Sequence, residues 1–167
     1  MSYPPVRFTG DRGEVSATVR EADAGPDLAW PTTNVHHLAT GATTGGDFGL
    51  YRWEMTGPPT GPAPHFHRTI TESFYVLSGT IRLYDGRAWV DATGGDFHFV
   101  PPGGIHAFRN ESGEPASMLL LFTPGAPRER YFEAVAELAA GRRQLSPEEM
   151  TEFLRSHDQY MVDEGAG

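Results

Sequence analysis

The 167-residue sequence contains no cysteine, and all 13 of its basic residues are arginine, so lysine is absent as well. Without cysteine, the chain has no disulfides, no thiolate metal sites and no cysteine nucleophile. Without lysine, catalysis through a Schiff-base lysine is excluded. Any metal ion held by side chains must therefore bind to histidine, aspartate or glutamate.

Clusters of basic residues and long apolar runs are also missing. The formal net charge is −9, and the arginines form no cluster with interleaved aromatic residues, which argues against nucleic acid as a partner. The longest uninterrupted apolar run, Met118 to Phe122, is far too short to cross a bilayer. The first residues, Met1 to Pro5, do not begin a signal peptide. The sequence therefore predicts a soluble, cytoplasmic protein with no membrane partner.

Glycine and proline are abundant, with 20 and 14 residues, and they separate short segments rich in β-branched and aromatic residues. Turn signals recur about every eight to twelve residues between Asn34 and Phe122, which is typical of a β-sandwich or barrel. After Pro124 the pattern changes to two helical segments. The first is Pro127 to Ala140, and the second opens at a capping box, Ser146 to Glu149, with proline at the first helical position.

These patterns divide the chain into three predicted parts. They are an N-terminal arm at 1–31, a β-barrel at 32–125 and a C-terminal helical extension at 126–167. Within the arm, Val15 to Arg20 is predicted to be an edge strand. We expect the arm to pack on the body of the protein or on a partner subunit.

Two histidines one residue apart, His65 and His67, direct their imidazoles to the same side of an extended segment, because strand side chains alternate between faces. Glu72 follows after four residues, enough for a turn that returns its carboxylate to the same place. Imidazole nitrogen and carboxylate oxygen together suit a divalent first-row metal ion. A pair of histidines at this spacing is weak evidence alone, and His106, which follows a glycine-rich turn, is the candidate for a distant fourth ligand.

The two segments read His65-x-His67-x4-Glu72-x6-Gly79 and Gly95-x5-Pro101-x-Gly103-x2-His106-x3-Asn110, with fifteen residues between Gly79 and Gly95. With these spacings, the sequence resembles the cupin superfamily, which has two such motifs. The second motif matches at all five fixed positions. The first departs at its opening glycine, where this chain has Pro59 between two nearby glycines. The resemblance covers about residues 45–123.

The resemblance implies an all-β double-stranded β-helix, or jelly-roll barrel, that binds one divalent transition metal ion through His65, His67, Glu72 and His106. Such a ligand set suits Ni, Mn, Fe, Co, Cu or Zn and is too poor in oxygen for Ca²⁺ or Mg²⁺. Cupins are commonly dimers, so the resemblance also implies a homodimer, in which the arm at 1–31 would exchange with a partner strand.

Within the superfamily, the block from Pro64 to Gly79 and the segment from Arg128 to Phe132 resemble single-domain bacterial quercetinases. This resemblance implies a dioxygenase that opens a flavonol or another enol-bearing aromatic ring with O₂, with Glu72 as both metal ligand and catalytic base. Two alternatives remain. One is a non-redox enzyme, such as a polyketide cyclase or isomerase, in which the metal acts as a Lewis acid. The other is a cupin that binds a small molecule without catalysis.

Three aromatic residues near the motifs are candidates to bind a flat substrate. Phe74 shares strand parity with Glu72, and Phe108 shares it with His106, so both are expected to face inward. Trp53 is the third candidate. All three would serve equally well as ordinary core residues.

For other polar residues near the motifs, the pattern leaves the location open or favours a structural role. Alternation does not decide whether Arg52 and Glu54 face the interior. His98 is either near the metal ligands or at the surface. A surface or core role is favoured for His36 and His37, and Asn110 is expected to shape a turn.

Overall fold

The computed structural model of the protein describes residues 2–163, in which eleven strands and two helices form. The strands are β1 (Leu28–Trp30), β2 (Thr33–Ala39), β3 (Gly49–Met55), β4 (His65–Phe66), β5 (Thr71–Ser78), β6 (Thr80–Tyr84), β7 (Trp89–Thr93), β8 (Phe97–Val100), β9 (Ala107–Arg109), β10 (Ala116–Thr123) and β11 (Tyr160–Met161). The helices are α1 (Arg128–Ala139) and α2 (Pro147–Ser156).

The strands pair only in antiparallel fashion within residues 2–163. A six-stranded sheet has the order β1-β2-β3-β10-β5-β8, and a three-stranded sheet has the order β7-β6-β9. Buried side chains of both sheets form one hydrophobic core. The short pair β11-β4 joins the C-terminal end of the chain to the first histidine segment. This arrangement agrees with the predicted jelly roll followed by a helical extension.

Strand β3 shows which of its faces is inside. Tyr51, Trp53 and Met55 are buried, and the alternate residues are half-buried. Arg52 and Glu54 therefore lie on the outer face of the six-stranded sheet, where the Arg52 Nε atom is 3.0 Å from a Glu54 carboxylate oxygen. The apolar face lies inside because burying two charged side chains without full pairing is costly.

Helix α1 packs on the core through aromatic side chains. The Phe132 ring lies edge-on to Tyr51 and to Trp53, with ring centroids 5.1 Å apart in both pairs. The buried Tyr51 hydroxyl donates a hydrogen bond to the Glu129 carboxylate. Helix α1 therefore forms part of the wall around the interior of the sheets.

Helix α2 begins at the capping box expected from the sequence. The Ser146 hydroxyl accepts from the Glu149 amide at 3.2 Å, and the Ser146 amide donates to the Glu149 carboxylate at 2.8 Å. These bonds satisfy backbone and side-chain groups at the helix start. None of the helices within residues 2–163 is both long and apolar enough to span a bilayer.

The predicted edge strand at Val15 to Arg20 is wrong. Residues 2–27 contain no helix or strand, and Val15 and Val19 have fully or largely exposed side chains. Pairing at a sheet edge would bury little apolar surface here. The conformational entropy lost on ordering the segment would therefore not be offset. Strand β1 lies within the predicted arm but pairs with β2, and the three-part division of the chain stays a prediction.

Candidate metal centre

Four buried side chains converge between the two motif segments. They are His65, His67, Glu72 and His106, and one ligand atom from each lies within 4.8 Å of the others. Their exposed fractions are between 0% and 4%. The structure thus brings together the same four residues that the sequence motifs grouped, and the group could hold a metal ion.

The backbone fixes the two motifs against each other. The amide of His65 donates to the carbonyl of His106 at 3.0 Å, and the amide of His106 donates to the carbonyl of His65 at 2.9 Å. The amide of Gly103, in the glycine-rich turn, donates to the carbonyl of His67 at 2.7 Å. Glu72 lies on β5 between β10 and β8, opposite Phe122 and Val100. The site is therefore built on paired backbone rather than on free loops.

Each of the three imidazoles is oriented by a backbone carbonyl oxygen next to its Nδ1 atom. The distances are 2.9 Å from His65 to Ala63, 2.6 Å from His67 to Asp158 and 3.0 Å from His106 to Gly104. A carbonyl oxygen only accepts, so each Nδ1 atom carries the proton. In the neutral ring the Nε2 atom is then left with a lone pair.

The donor set fits a divalent cation. The Oε2 atom of Glu72 lies 3.1 Å from the Nε2 atom of His67 and 2.9 Å from that of His106. Lone pairs on neutral imidazoles would repel the carboxylate at these distances, so a positive charge belongs among them. Three nitrogens and a carboxylate suit Mn, Fe, Co, Ni, Cu or Zn. The role of these residues as metal ligands stays a prediction.

The electrostatics of the site also favour a cation. Burial, and to a smaller degree His106, lower the pKa of His65 to about 3, so this ring is neutral near pH 7. Without a metal ion, the Nε2 atoms of His106 and His67 can donate to Glu72 only when these rings are protonated. Burial opposes ionisation of Glu72, but such hydrogen bonds outweigh it and lower the pKa of the carboxyl below its usual range. Burial also opposes protonation of His106, and the bond to Glu72 outweighs it and raises the pKa of that ring.

A cavity of about 290 Å³ opens onto the site at His65 and Glu72. Six of its lining residues are aromatic, namely Trp30, Trp53, Phe108, Phe122, Tyr131 and Phe132. Its polar lining comes from Thr32, Thr60, Arg128, Tyr131 and Gln159 together with the two metal-centre residues. Such a cavity suits a small molecule with a flat apolar body and a few polar groups.

The three aromatic candidates from the sequence occupy two different positions. Trp53 and Phe108 line the cavity, with their ring centroids 6.0 Å apart. Phe74 is fully buried and packs on the His106 ring at 5.9 Å, but it is not among the cavity-lining residues. Strand parity correctly predicted that Phe74 faces inward, but parity does not specify which part of the interior a side chain reaches.

Sequence reasoning missed the contribution of the C-terminal extension to the cavity. Arg128 and Tyr131, both on α1, and Gln159, just before β11, line it. The sequence contained a signal for this contribution. Arg128 is three residues before Tyr131 and thus lies on the apolar face of the helix. A charged residue on such a face indicates a buried polar site.

The remaining histidines lie outside the group of four. His36 is buried on the outer face of β2, with its Nε2 atom 3.2 Å from Glu54. His37 packs on Tyr51 with centroids 5.5 Å apart. His98 is half-buried against Phe74 at 5.8 Å, and burial, with a smaller contribution from His106, lowers its pKa.

Asn110 shapes a turn, as expected. Its side-chain amide donates to the carbonyl of Glu114 at 2.8 Å, and its side-chain oxygen accepts from the amide of Ser112 at 3.1 Å. Its backbone pairs with Thr60, in the loop before the first histidine. In that loop Gly61 has a φ of +148°, and an added Cβ would lie 2.0 Å from the carbonyl oxygen of Phe108. The loop thus requires glycine at position 61, two residues after Pro59.

Comparison with known families identifies the fold. The family model for the cupin domain matches residues 53–122, which includes all four residues of the candidate metal centre. The chain carries a cupin domain. The cupin resemblance and the jelly-roll fold predicted from the sequence are confirmed.

Solved structures with this cupin fold come from proteins of several kinds. Ectoine synthase from P. lautus has a TM-score of 0.58 at 16% identity, over 72% of this chain and 87% of that chain. A predicted oxalate decarboxylase from Thermotoga maritima has a TM-score of 0.56 at 19% identity, over 64% and 97% of the two chains. KdgF from Halomonas sp. has a TM-score of 0.55 at 16% identity, over 65% and 94%. At these identities the likeness establishes the fold alone.

A curated protein is similar to this chain at the sequence level. This protein of Aquifex aeolicus (strain VF5), described as uncharacterized, is 35% identical over 65 residues. The match covers 39% of this chain and 53% of the relative, so the chain spans about half the length of the curated relative it matches.

Proposed function

We propose that the protein is a metal-dependent cupin enzyme that cleaves a small enol-bearing aromatic molecule with O₂. The supporting observation is that the buried group of three histidines and Glu72 opens directly onto a cavity with aromatic walls. When bound, a redox-active metal ion would supply Lewis acidity toward an enol oxygen and an electron path to O₂. The ligands proposed for this ion are His65, His67, Glu72 and His106.

Glu72 is the proposed catalytic base. Its Oε2 atom is directed at His67 and His106, and the residue also lines the cavity. The Oε1 atom is therefore the one that would accept the proton of an enol hydroxyl. Because the side chain is buried among the other three proposed ligands, it would meet the substrate in a fixed orientation.

The cavity walls would orient the substrate and exclude water. Trp53 and Phe108 provide flat apolar surfaces, and Trp30 packs edge-on to Trp53 at 5.5 Å. Ligand sites for drug-sized molecules range from about 300 to 1,000 Å³, so a cavity of about 290 Å³ is at the small end. A substrate with one or two rings is a closer match than a three-ring flavonol.

Elemental analysis of protein purified without added metal, followed by O₂-electrode assays on a panel of one-ring and two-ring enols, tests this proposal. We expect about one transition metal ion per chain and metal-dependent O₂ uptake with at least one enol. Glu72→Gln should abolish uptake, whereas Glu54→Gln, the same change on the outer face of β3, should not. Metal-loaded protein that consumes no O₂ with any enol would overturn the dioxygenase proposal.

One observation favours a second candidate, a non-redox enzyme such as a cyclase or isomerase. The cavity contains a hydroxyl donor, because burial raises the pKa of Tyr131 and keeps its phenol protonated despite the nearby Arg128. Such a donor would stabilise an enolate without O₂. Turnover under anaerobic conditions with Zn²⁺ in the site would support this candidate, and substrates that bind but stay unchanged would support binding alone.

We also propose that the protein is a homodimer. Tyr75, Leu77, Phe97 and Phe99 on the neighbouring strands β5 and β8 are between 42% and 64% exposed. Contiguous exposed apolar groups of this kind are typical of interaction surfaces. Besides a second copy of the chain, the partner that we propose is the small-molecule substrate.

A further inference from the structure

We propose that Arg128 binds a carboxylate of the substrate, and that the substrate is therefore an aromatic or enolic acid anion. This inference rests on the proposed function, because it assumes a metal ion at the candidate metal centre. It concerns the binding of the substrate and not the reaction. It assigns the selectivity of the cavity to a residue on α1, outside the two motif segments.

Arg128 is a buried charge without a matching carboxylate. It is only 4% exposed, and within residues 2–163 no acidic side chain is in ion-pair contact with it. The neighbouring Glu129 is bonded to the Tyr51 hydroxyl instead. Buried charges are normally paired, because removing a lone charge from water is costly.

Within residues 2–163, the protein holds the guanidinium at one nitrogen and leaves another without a hydrogen-bond partner. Its Nη1 atom donates to the carbonyl of His157 at 2.8 Å. The buried Nε atom has no hydrogen-bond partner in the described part of the chain. The edge formed by Nε and Nη2 has the spacing that matches the two oxygens of a carboxylate.

Aromatic rings stabilise the charge without neutralising it. The guanidinium carbon is 4.2 Å from the ring centroid of Tyr131, 5.1 Å from that of Phe122 and 5.5 Å from that of Phe132. Cation–π contacts of this kind favour a cation, and they also restrict its side-chain conformations. A pre-oriented cation binds an anion at a lower entropic cost than a mobile surface arginine.

The position of Arg128 in the cavity defines the substrate class. It lines the same cavity as Glu72 and His65, so one ligand can touch both ends. The two positive charges of a divalent ion would exceed the single negative charge of Glu72. With the charge of Arg128 added, the walls of the cavity would carry a net positive charge. The ligand that fits carries an ionisable oxygen toward the metal centre, a carboxylate toward Arg128 and a small flat body between them.

Calorimetric titration of the metal-loaded protein with benzoate and with its neutral isostere benzamide tests this assignment. We expect benzoate to bind roughly tenfold or more tightly than benzamide, as for a hydrogen bond between charged groups. Arg128→Gln should remove most of that preference while leaving benzamide affinity nearly unchanged. Arg128→Lys keeps the charge but not the planar fork and should retain an intermediate preference.

The matched control is Arg130→Gln, the same substitution on an exposed residue of the same helix. It should leave both affinities unchanged. Metal content is measured for every variant, because a metal ion would itself attract benzoate. If Arg128→Gln does not fold, Arg128→Lys still decides the question, because it changes Arg128 and leaves the metal ligands in place.

Two results would overturn the assignment. One is equal binding of benzoate and benzamide by the wild type. The other is an Arg128→Gln or Arg128→Lys variant that folds and keeps the full preference for benzoate, since the anion would then be held elsewhere. A preference that depends on Arg128 would support the assignment even if no enol is oxidised, so the two proposals can fail separately.

Discussion

The Nδ1 atom of His67 donates a hydrogen bond of 2.6 Å to the backbone carbonyl of Asp158, which lies 91 residues later in the chain. The Asp158 carboxylate in turn accepts hydrogen bonds from the amides of Arg68 and Thr69 and from the Thr69 hydroxyl, at 2.7 to 3.1 Å. Asp158 is also the non-glycine residue with positive φ, at 57°, in the described chain. The end of the helical extension is therefore bonded to the segment that carries the metal-centre histidines.

Substitution of Asp158 should weaken metal binding although its side chain is not a proposed ligand. Asp158→Ala removes the carboxylate that holds the backbone carbonyl against His67 and places a less suitable residue at positive φ. We expect metal affinity to fall roughly tenfold, as for other residues that orient a ligating histidine. Competition titration with a chromophoric chelator measures the change.

Two matched variants separate the causes of that loss. Asp158→Asn keeps a side chain that tolerates positive φ, so it should lose less affinity than Asp158→Ala. Asp163→Ala, at an exposed position, should lose none. An unchanged affinity in Asp158→Ala would show that the extension does not orient His67.

The same carboxylate predicts a pH dependence of stability. Partial burial opposes ionisation of Asp158, but hydrogen bonds from Thr69 and Arg68 outweigh it and lower the pKa of the carboxyl. A carboxyl with a pKa lower in the folded state than its unfolded value of about 3.9 stabilises the protein above that value. This stabilisation is lost as the pH falls through the lower, folded pKa.

Urea unfolding of the wild type and of Asp158→Asn from pH 7 to pH 3 measures this contribution. The difference in the free energy of unfolding should be constant above about pH 5 and should shrink only at the acidic end. A difference that instead disappears between pH 7 and pH 5 would point to a histidine and contradict the assignment to Asp158.

Short-range patterns predicted the candidate site better than long-range ones. His65, His67 and Glu72 are close in sequence, so strand alternation and one turn suffice to bring them together, and motif spacing added His106. The contributions of Arg128 and Asp158 depend on how the helical extension docks on the sheets. That docking is a tertiary event that local periodicity does not encode. Alternation along β3 likewise left the orientation of Arg52 open, because both faces of this strand are covered in part.

Removal of the metal ion should lower thermal stability. A ligand that binds only the folded state stabilises it by about 2.7 kcal/mol at one hundred times its Kd. For a chain of this size that corresponds to a fall in Tm of roughly 5 to 10 °C after dialysis against a chelator. Readdition of Mn²⁺, Ni²⁺ or Zn²⁺ should restore the Tm.

The variant His106→Gln should show little response of Tm to chelator or metal, because one of the converging nitrogens is lost. His98→Gln, a change on β8 outside the group of four, should respond as the wild type does. If His106→Gln kept the full response, the ion would be bound somewhere other than at the predicted site.

The exposed apolar residues on β5 and β8 should decide the oligomeric state. Tyr75 lies directly opposite Phe97 across the strand pair, and Phe97 and Phe99 are 64% and 56% exposed. Sedimentation of the wild type should give twice the chain mass of 18.3 kDa. Phe97→Asp places a charge in the interface and should give the single-chain mass with the fold intact, because the side chain contributes little to the core. Val90→Asp changes an apolar position on β7 of the other sheet that is 54% exposed, and it should leave the dimer unchanged. A wild-type mass of one chain would rule out this interface.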